Sequence, residues 1–215
     1  GFAIKQLRIR KNRDAKPFAV MSLNVKSVEE YLSISKKEQE LLECNKRPIV
    51  VLEVQKDFLP KEISPGLNNV GVMLPYTPLH YLLFWQALGQ PKGYDWLEDA
   101  SDVLFVMTSA NISDEPLIID NVEAKDLLIK NTSKDDHSSI ADMIVDYNRD
   151  IVTRVDDSVV KVISGYPTFI RRARGYIPGA IKLGKKVKPV LALGGSLKNT
   201  VCITRGDQAF VSQYL

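Results

Sequence analysis

Two runs of alternating apolar and polar residues within residues 148–176 constrain the fold more than any other feature of this sequence. The runs cover residues 151–163 and 168–171, and the tetrapeptide SGYP separates them. A period of two with a Gly/Pro connection predicts two β-strands joined by a turn. The polar residues in this region suit either a phosphate or carboxylate ligand or a solvated edge strand protected by arginines. They are Asn148, Arg149, Asp156, Asp157, Ser158, Arg171, Arg172 and Arg174.

The composition sets the outer limits on function. The 215 residues are 45% hydrophobic and 26% charged, which is typical of a soluble globular protein. The formal net charge of +3 is too small to argue for nucleic acid by itself. No apolar run approaches the length that spans a membrane. Cys44 and Cys202 lie far apart without a partner motif, which predicts a reducing, cytoplasmic location and no zinc site within these residues.

Cations concentrate where the first predicted helix meets the first predicted strand. Helical spacing predicts a helix over residues 3–13, and the apolar run FAVMSL predicts a strand over residues 18–23. Four cations lie between Arg10 and Lys16. They suit the C-terminus of a helix, which attracts positive charge, and they equally suit a grip on phosphate.

Helix and strand signals alternate through the next part of the chain. Capping-box patterns that begin at Ser27 and Ser35 predict two short helices, and residues 49–54 and 70–74 are predicted strands. A later helix is expected to start at Thr77-Pro78 and to end at Gly89. His80, in its first turn, is interpreted as structural. The apolar residues that this helix is predicted to bury are Leu79, Leu82 and Leu83.

An unbroken apolar run over residues 102–107, DVLFVM, predicts a central strand buried on both faces. The run leads into the small polar residues Thr108, Ser109, Ala110 and Asn111. In α/β sheets, ligands bind at the carboxyl ends of the strands, so these residues are expected to face a ligand. Residues 123–148 are predicted to be helical, interrupted by a loop over 130–139 that exposes His137.

The last part of the chain predicts the start of a second domain. Residues 182–188, KLGKKVK, are basic, contain Gly and precede Pro189, which predicts an interdomain linker. Residues 190–193 and 200–204 then predict the two strands of a hairpin around the segment GGSLKN. An isolated hairpin is marginal in water, so we expect this one to pack on the first domain or to be mobile.

Six motifs occur in a fixed order: KNRDAKPFAVM (11–21), SPGLNNVGVMLPYTPLHYLLF (64–84), VMTSANISDEP (106–116), NRDIVTRVDDSVV (148–160), FIRRARGYIP (169–178) and LALGGSLKNTVCITRGDQAF (191–210). In this order they resemble the hydrogenase maturation carbamoyltransferase family, HypF, over nearly the whole chain. The resemblance implies an α/β (α+β) fold, in which residues 1–187 form a YrdC-like twisted, mixed β-sheet with flanking helices around a concave basic cleft. Residues 188–215 would form the N-terminal hairpin of an incomplete Kae1-like domain.

The wider YrdC family is similar in its K-x-R, S-A-N and arginine motifs, and it makes threonylcarbamoyl-adenylate for tRNA modification. Its members usually have Arg where this chain has Met73, and they lack the GGSLKNTVCITRGD continuation. Tyr147 stands where the HypF family more often has His, and Ala110 replaces a common Gly. The family's acylphosphatase-like and zinc-binding regions, and a strand and loop expected between Phe2 and Ala3, have no counterpart in this sequence.

The chemistry that the resemblance implies starts from ATP and carbamate derived from carbamoyl phosphate. A carbamate oxygen attacks the α-phosphorus, carbamoyl-adenylate forms, and pyrophosphate leaves. The carbamoyl group then passes to the C-terminal cysteine of an acceptor protein of the HypE type, for the cyanide ligands of NiFe hydrogenases. Because such transfer depends on positioning and charge neutralisation, no acid–base catalytic residue is assigned. Mg²⁺ is expected as the phosphate counter-ion, without a predicted protein ligand.

The resemblance assigns binding of ATP and carbamoyl-adenylate to ten residues. Lys11, Arg13 and Lys16 would hold the triphosphate or the leaving pyrophosphate. Ser109 and Asn111 would bind the α-phosphate and the carbamoyl group. The opposite wall of the cleft would close on the phosphate and the nucleotide. It would consist of Asn148, Arg149, Ser158, Arg171 and Arg174.

Two alternatives stay open at this point. A free-standing YrdC-like domain could bind double-stranded RNA through phosphates alone, although the charge of +3 and the few exposed aromatic candidates argue against it. The isolated chain could also be inactive because the carbamate is produced elsewhere in a longer protein.

Overall fold

A mixed six-stranded sheet covered by helices and a separate three-stranded sheet make up the structure. The computed structural model describes residues 1–54, 59–113, 115–130, 139–195 and 199–213. The helices are α1 (Phe2–Arg10), α2 (Val25–Glu29), α3 (Lys36–Glu43), α4 (Pro78–Ala87) and α5 (Asn121–Ala124), which a π-helical segment continues over Lys125–Lys130. The larger sheet contains β1 (Ala19–Ser22), β2 (Ile49–Glu53), β3 (Asn69–Met73), β4 (Leu104–Met107), β5 (Val159–Ile163) and β6 (Tyr166–Arg171). The smaller sheet contains β7 (Ile181–Val187), β8 (Leu191–Ala192) and β9 (Cys202–Val211).

The larger sheet has the strand order β4-β1-β3-β2-β5-β6. β1 runs parallel to β3, and β2 runs parallel to β5. The other neighbouring strands are antiparallel. The mixed α/β sheet with flanking helices is therefore confirmed.

Alternate residues of the central strands bury opposite faces of the sheet. Val20 and Val72 pack in one cluster with Val28 of α2 and Leu42 of α3. Their neighbours Met21 and Met73 pack in a second cluster with Phe84 of α4. Because successive side chains of a strand point to opposite faces, helices cover both sides of β1 and β3. Each fully buried side chain of this kind contributes roughly 1.5–3 kcal/mol.

The two strands predicted from residues 148–176 are present as a hairpin, but the first is shorter than predicted. β5 and β6 pair antiparallel from Val159 opposite Arg171 to Ile163 opposite Tyr166. The turn residues Ser164 and Gly165 both have positive φ, 51° and 81°, as a two-residue hairpin turn of right-handed twist requires. Residues 151–158 are not a strand. The alternation of apolar and polar residues over 151–158 was misleading, because the pairing with both neighbouring strands starts only at Val159.

Strand β4 corrects the prediction of a central strand buried on both faces. It begins at Leu104 rather than at residue 102, and all four of its residues are only partly buried. It stands at the end of the strand order, paired with β1. Its apolar run reflects partial packing onto both core clusters, which an apolar run alone does not distinguish from complete burial.

Helix α4 starts where predicted but buries a different residue. Thr77 caps it by accepting from the amide of His80 at 3.4 Å, and Pro78 occupies its first turn. Gly89 follows its end with a φ of 78°. Leu79, Leu82 and Leu83, predicted to be buried, are 48, 58 and 46% exposed, whereas Phe84 is fully buried. The helix is apolar nearly all round, so its sequence does not reveal which side meets the sheet.

The two predicted capping boxes had different outcomes. Ser35 and Glu38 form the predicted reciprocal cap at the start of α3. At α2 the cap is Asn24, three residues before Ser27, and the hydroxyl of Ser27 instead donates to Asn24 and accepts from the amide of Ser101. The long helix predicted over 123–148 is wrong for residues 139–148, which are irregular. Most of the predicted loop over 130–139, including His137, lies outside the described residues.

The second sheet corrects the predicted linker. Residues 181–187 form β7, which pairs with β9 from Ile181 opposite Ala209. The predicted hairpin is present, with β8 paired to a longer β9, while residues 196–198 of its turn lie outside the described residues. The division between residues 187 and 188 stays a prediction. Within the described ranges, no helix has the length and apolar character needed to cross a membrane.

We predict that Asn24→Ala destabilises the protein more than Ser35→Ala. The Asn24 carboxamide caps α2 and also donates to the carbonyls of Leu97 and Asp99 at 2.8 and 2.7 Å. The loss should be about 2–3 kcal/mol for Asn24→Ala and about 1 kcal/mol for Ser35→Ala. Urea denaturation with an unchanged m-value measures both, and equal losses would contradict the role given to Asn24.

Candidate functional site

Two loops meet at one end of the larger sheet and enclose a small polar cavity. The first loop joins α1 to β1, and the second follows β4. Because Ala19 of β1 pairs antiparallel with Met107 of β4, the start of one strand lies beside the end of the other. The cavity between the loops has a volume of about 180 Å³. Its lining residues are Lys11, Asn12, Arg13, Asp14, Ala15, Lys16, Ser109, Asn111 and Ser113.

Lys11 ties the two loops together. Its ammonium donates to the carbonyl oxygens of Ser109 and Asn111 at 2.6 and 2.9 Å and approaches Oδ1 of Asn111 at 3.3 Å. Lys11 is only 5% exposed. Burial, together with the smaller effect of the positive charges of Arg13 and Lys16, lowers the pKa of Lys11 to about 8. The ammonium is therefore a desolvated cation held by backbone oxygens beside further cations.

Arg13 of the first loop contacts both its neighbours in the chain and the loop after β4. Its guanidinium lies 4.7 Å from the ring centroid of Phe18 and donates to Oγ1 of Thr108 at 3.1 Å. It also donates to the carbonyls of Lys16 and Pro17. Burial lowers the pKa of Arg13, and the charges of Arg8 and Arg171 lower it further.

The loop after β4 presents a hydroxyl and a carboxamide. Ser109 donates to Oδ1 of Asn111 at 2.7 Å, and Nδ2 of Asn111 donates to the carbonyl of Glu115 at 2.8 Å. The hydroxyl of Ser113 donates to the carbonyl of Lys11. Five predicted residues thus line one cavity: Lys11, Arg13, Lys16, Ser109 and Asn111. Their role in binding a ligand stays a prediction.

Asn148 and Arg149 do not line this cavity. Both are exposed. Their segment is held beside α5, because Asn121 donates to the carbonyl of Tyr147 at 2.8 Å. Arg154 likewise donates to the carbonyl of Leu117 at 2.6 Å. The amide of Ile118 in turn donates to the carbonyl of Ala110. These hydrogen bonds therefore link the segment to the loop after β4 through residues 117 and 118.

Ser158 and Arg174 are engaged in contacts within the protein. The hydroxyl of Ser158 is fully buried, accepts from the amide of Ala173 at 2.8 Å and donates to the carbonyl of Arg174 at 2.9 Å. Arg174 bonds Asp157 at 2.7 Å and lies 3.6 Å over the ring of Tyr76. The structure therefore does not place either side chain in the cavity. Arg171, paired with Asp156 at 3.3 Å, does not line the cavity either. The ligand-binding roles of Ser158, Arg171 and Arg174 stay predictions.

Sequence reasoning missed two residues that shape the cavity. Ser113 follows the S-A-N motif by two residues and closes onto the first loop. Arg8 lies one helical turn before Lys11 and contacts the first loop from behind. The spacing of Arg8 and Lys11 on a helix was the available signal, since residues three apart share one face.

A larger, mostly apolar groove lies at the opposite ends of the strands, where β3 ends and β2 begins. Its volume is about 790 Å³, and five of its twelve lining residues are aromatic. Tyr76 packs edge-on against His80 with centroids 4.6 Å apart. Burial lowers the pKa of His80, and Asp157 and Arg174 act on it in opposite directions. The lining residues are Asn45, Arg47, Pro75, Tyr76, Thr77, Pro78, Tyr81, Leu82, Trp85, Gly93, Tyr94 and Trp96.

The small cavity is the better candidate for a phosphate ligand, although the groove is larger. Of the groove's lining residues only Arg47 is a cation. The cavity is lined by three cations, Lys11, Arg13 and Lys16, together with two hydroxyls and two carboxamides. Phosphate is recognised by cations and hydrogen-bond donors rather than by aromatic surface.

Comparisons with known proteins identify relatives over almost the entire chain. Carbamoyltransferase HypF2 of Cupriavidus necator is 48% identical over 99% of this chain and 26% of its own length. A full-length HypF, whose crystal structure is in the phosphate- and nucleotide-bound form, superposes with a TM-score of 0.83 at 43% identity, covering 99% of this chain and 25% of that one. The chain thus spans about a quarter of the length of the relatives it matches.

More distant structures share the fold. Sua5 of P. abyssi, complexed with L-threonine, superposes with a TM-score of 0.58 at 19% identity, covering 80% of this chain and 44% of its own. The HypF Kae1-like domain matches residues 185–215. The Sua5/YciO/YrdC family, described as telomere recombination, matches residues 2–173. The chain therefore belongs to the Sua5/YciO/YrdC family, in the form found in HypF, and it continues into the start of a HypF Kae1-like domain.

Proposed function

We propose that this chain binds ATP and forms carbamoyl-adenylate as part of a carbamoyltransferase of hydrogenase maturation. One observation carries the proposal: cations from the loop before β1 and polar groups from the end of β4 line a single small cavity. Such a cavity suits phosphoryl transfer, which depends on positioning and charge neutralisation more than on acid–base groups.

In the proposed reaction a carbamate oxygen attacks the α-phosphorus of ATP. The new P–O bond forms as the bond from the α-phosphorus to the bridging oxygen breaks, and the electron pair leaves with pyrophosphate. Arg13 and Lys16 would neutralise the charge that develops on the leaving pyrophosphate. Ser109 and Asn111 would hold the α-phosphate and the carbamoyl group, with Lys11 fixing their loop.

Asn148, Arg149 and Arg171 would form the opposite wall of the proposed site. The charge of Arg171 contributes to the lowered pKa of Arg13, which supports the assignment of Arg171 alone. Ser158 and Arg174 would act indirectly, because their contacts fix the segment that follows β6. Nucleotide binding would then reside in residues 1–187, and transfer to the acceptor would need further parts of a longer protein.

The relatives support this choice over the tRNA-modifying alternative. The curated relatives that match 99% of the chain are named carbamoyltransferases. The fold neighbour bound to threonine is only 19% identical. Met73, at the position where the tRNA-modifying relatives usually have arginine, is 1% exposed and packs in the second core cluster. Carbamate from carbamoyl phosphate would be the second substrate, a HypE-type protein the acceptor, and the cytoplasm the location.

Magnesium would enter with ATP rather than occupy a site of its own. Among the residues that the structure describes, no three His, Cys, Asp or Glu side chains cluster to hold a metal ion. Asp14 is the one carboxylate among the residues that line the cavity. Mg²⁺ commonly uses few carboxylates together with phosphate oxygens, so we assign no metal ligand and no step to the ion.

We predict that Lys16→Ala and Arg149→Ala each weaken ATP binding, measured by isothermal titration of the whole chain. Loss of a charged hydrogen bond to phosphate typically costs about 1.5–3 kcal/mol, which corresponds to roughly 10- to 100-fold in affinity. Lys37→Ala is the matched control, because Lys37 pairs with Glu40 on the exposed surface of α3. Equal ATP affinities of the wild type and the three variants would contradict the assignment of Lys16 and Arg149 to the site. Binding of double-stranded RNA that ATP fails to displace would favour the RNA alternative.

We also predict that ATP binding takes up protons near pH 8 through Lys11. The pKa of Lys11 is lowered to about 8, so its ammonium is lost as pH rises through that value, and a bound polyanion should restore it. Affinity should therefore fall above pH 8. Titrations in buffers of different ionisation enthalpy measure the uptake. The variant Lys11→Arg keeps the positive charge but does not titrate in this pH range. If ATP binding to this variant takes up as many protons as binding to the wild type, Lys11 does not have this role.

A further inference from the structure

Arg8 is a buried cation that the proposed reaction does not use directly. It lies near the end of α1 and is 9% exposed. Its guanidinium is surrounded by backbone carbonyl oxygens from two segments of the chain. It donates to Glu62 at 2.6 Å, Ile63 at 3.3 Å, Arg13 at 2.8 Å, Asp14 at 3.3 Å and Lys16 at 3.2 Å.

Three of these carbonyls belong to the loop that lines the cavity. In a trans peptide the carbonyl of one residue and the amide of the next point in opposite directions. Carbonyls of Arg13 and Asp14 that face Arg8 therefore turn the amides of Asp14 and Ala15 away from it. Within the described part of the chain, neither amide donates to a backbone carbonyl.

Successive backbone amides that point to one side of a loop form a concavity that attracts anions. Asp14 and Ala15 line the same cavity as Lys11 and Arg13. The side-chain cations and the backbone amides thus belong to one loop, and Arg8 holds that loop from behind.

The arrangement of acceptors suits arginine better than lysine. Five acceptors surround a planar group whose donors point in fixed directions, and a lysine ammonium offers three donors from a single point. The guanidinium carbons of Arg8 and Arg13 also each lie over the ring of Phe18, 4.7 Å from its centroid.

We propose that Arg8 is a positioning residue that holds residues 13–16 so that the backbone amides of Asp14 and Ala15 bind phosphate oxygens of the ligand. This inference rests on the proposed function, because it assumes that the cavity takes a polyphosphate. It adds a backbone recognition element, and a residue that maintains it, to the side chains already assigned.

Arg8→Lys tests the proposal because it keeps the positive charge and removes the planar guanidinium with its fixed donor directions. The whole chain would be titrated with ATP and with inorganic pyrophosphate, and the amide resonances of Asp14 and Ala15 would be followed by ¹⁵N correlation spectra. We expect both amides to shift in the wild type. Arg8→Lys should bind roughly tenfold or more weakly, as expected when bidentate geometry is lost, with much smaller shifts at these amides.

Arg10→Lys is the matched control, because Arg10 lies on the same helix and pairs with exposed Asp142 at 2.8 Å. It should bind pyrophosphate like the wild type. Wild-type affinity and wild-type amide shifts in Arg8→Lys would overturn the inference while leaving the proposed function intact. Failure of the wild type to bind ATP or pyrophosphate would overturn both. If Arg8→Lys does not fold, the wild-type spectra still decide, since unshifted Asp14 and Ala15 amides at saturation would refute the backbone site.

Discussion

The contact of the buried Lys11 ammonium with the loop after β4 is the interaction on which the candidate site depends. It joins segments 98 positions apart in the chain, at 2.6 Å from the carbonyl of Ser109. Burying an ammonium is costly unless oxygens replace its water, and the backbone of Ser109 and Asn111 supplies them. The sheet makes this possible, because antiparallel pairing of β1 and β4 brings the two loops to the same end.

The same arrangement concentrates positive charge before any ligand is present. Burial and the charges of Arg13 and Lys16 lower the pKa of Lys11, and burial and the charges of Arg8 and Arg171 lower the pKa of Arg13. Folding therefore maintains a repulsion among cations that a bound polyphosphate would relieve. Part of the favourable free energy of binding would come from this relief, as expected for electrostatic preorganisation.

The sequence predicted the local parts of the site better than their surroundings. Lys11, Arg13, Lys16, Ser109 and Asn111 were expected together, because motif residues at strand and helix ends meet when the sheet forms, and one cavity contains them. Ser158 was expected in the cleft, yet its hydroxyl is buried against Ala173 and Arg174. A short polar residue beside a strand has the same pattern whether it binds a ligand or the neighbouring backbone.

Larger errors came from long-range packing. The edge position of β4, the exposed leucines of α4 and the strand over residues 181–187 all depend on partners distant in sequence. For Arg8 the sequence offered only its helical spacing from Lys11, because the carbonyls of residues 62 and 63 that it contacts are distant in the chain. Periodicity and capping patterns predict which segments form helices and strands, but they do not predict which other segments these elements pack against.

A crystal structure of the chain soaked with ATP or a non-hydrolysable analogue tests the central claim most directly. The account predicts phosphate density in the cavity of about 180 Å³ between residues 11–16 and the loop after β4, with oxygens within hydrogen-bond distance of Arg13 and Ser109. Nucleotide bound instead in the aromatic groove beside Tyr76 and Trp85, with the polar cavity empty at saturation, would contradict it.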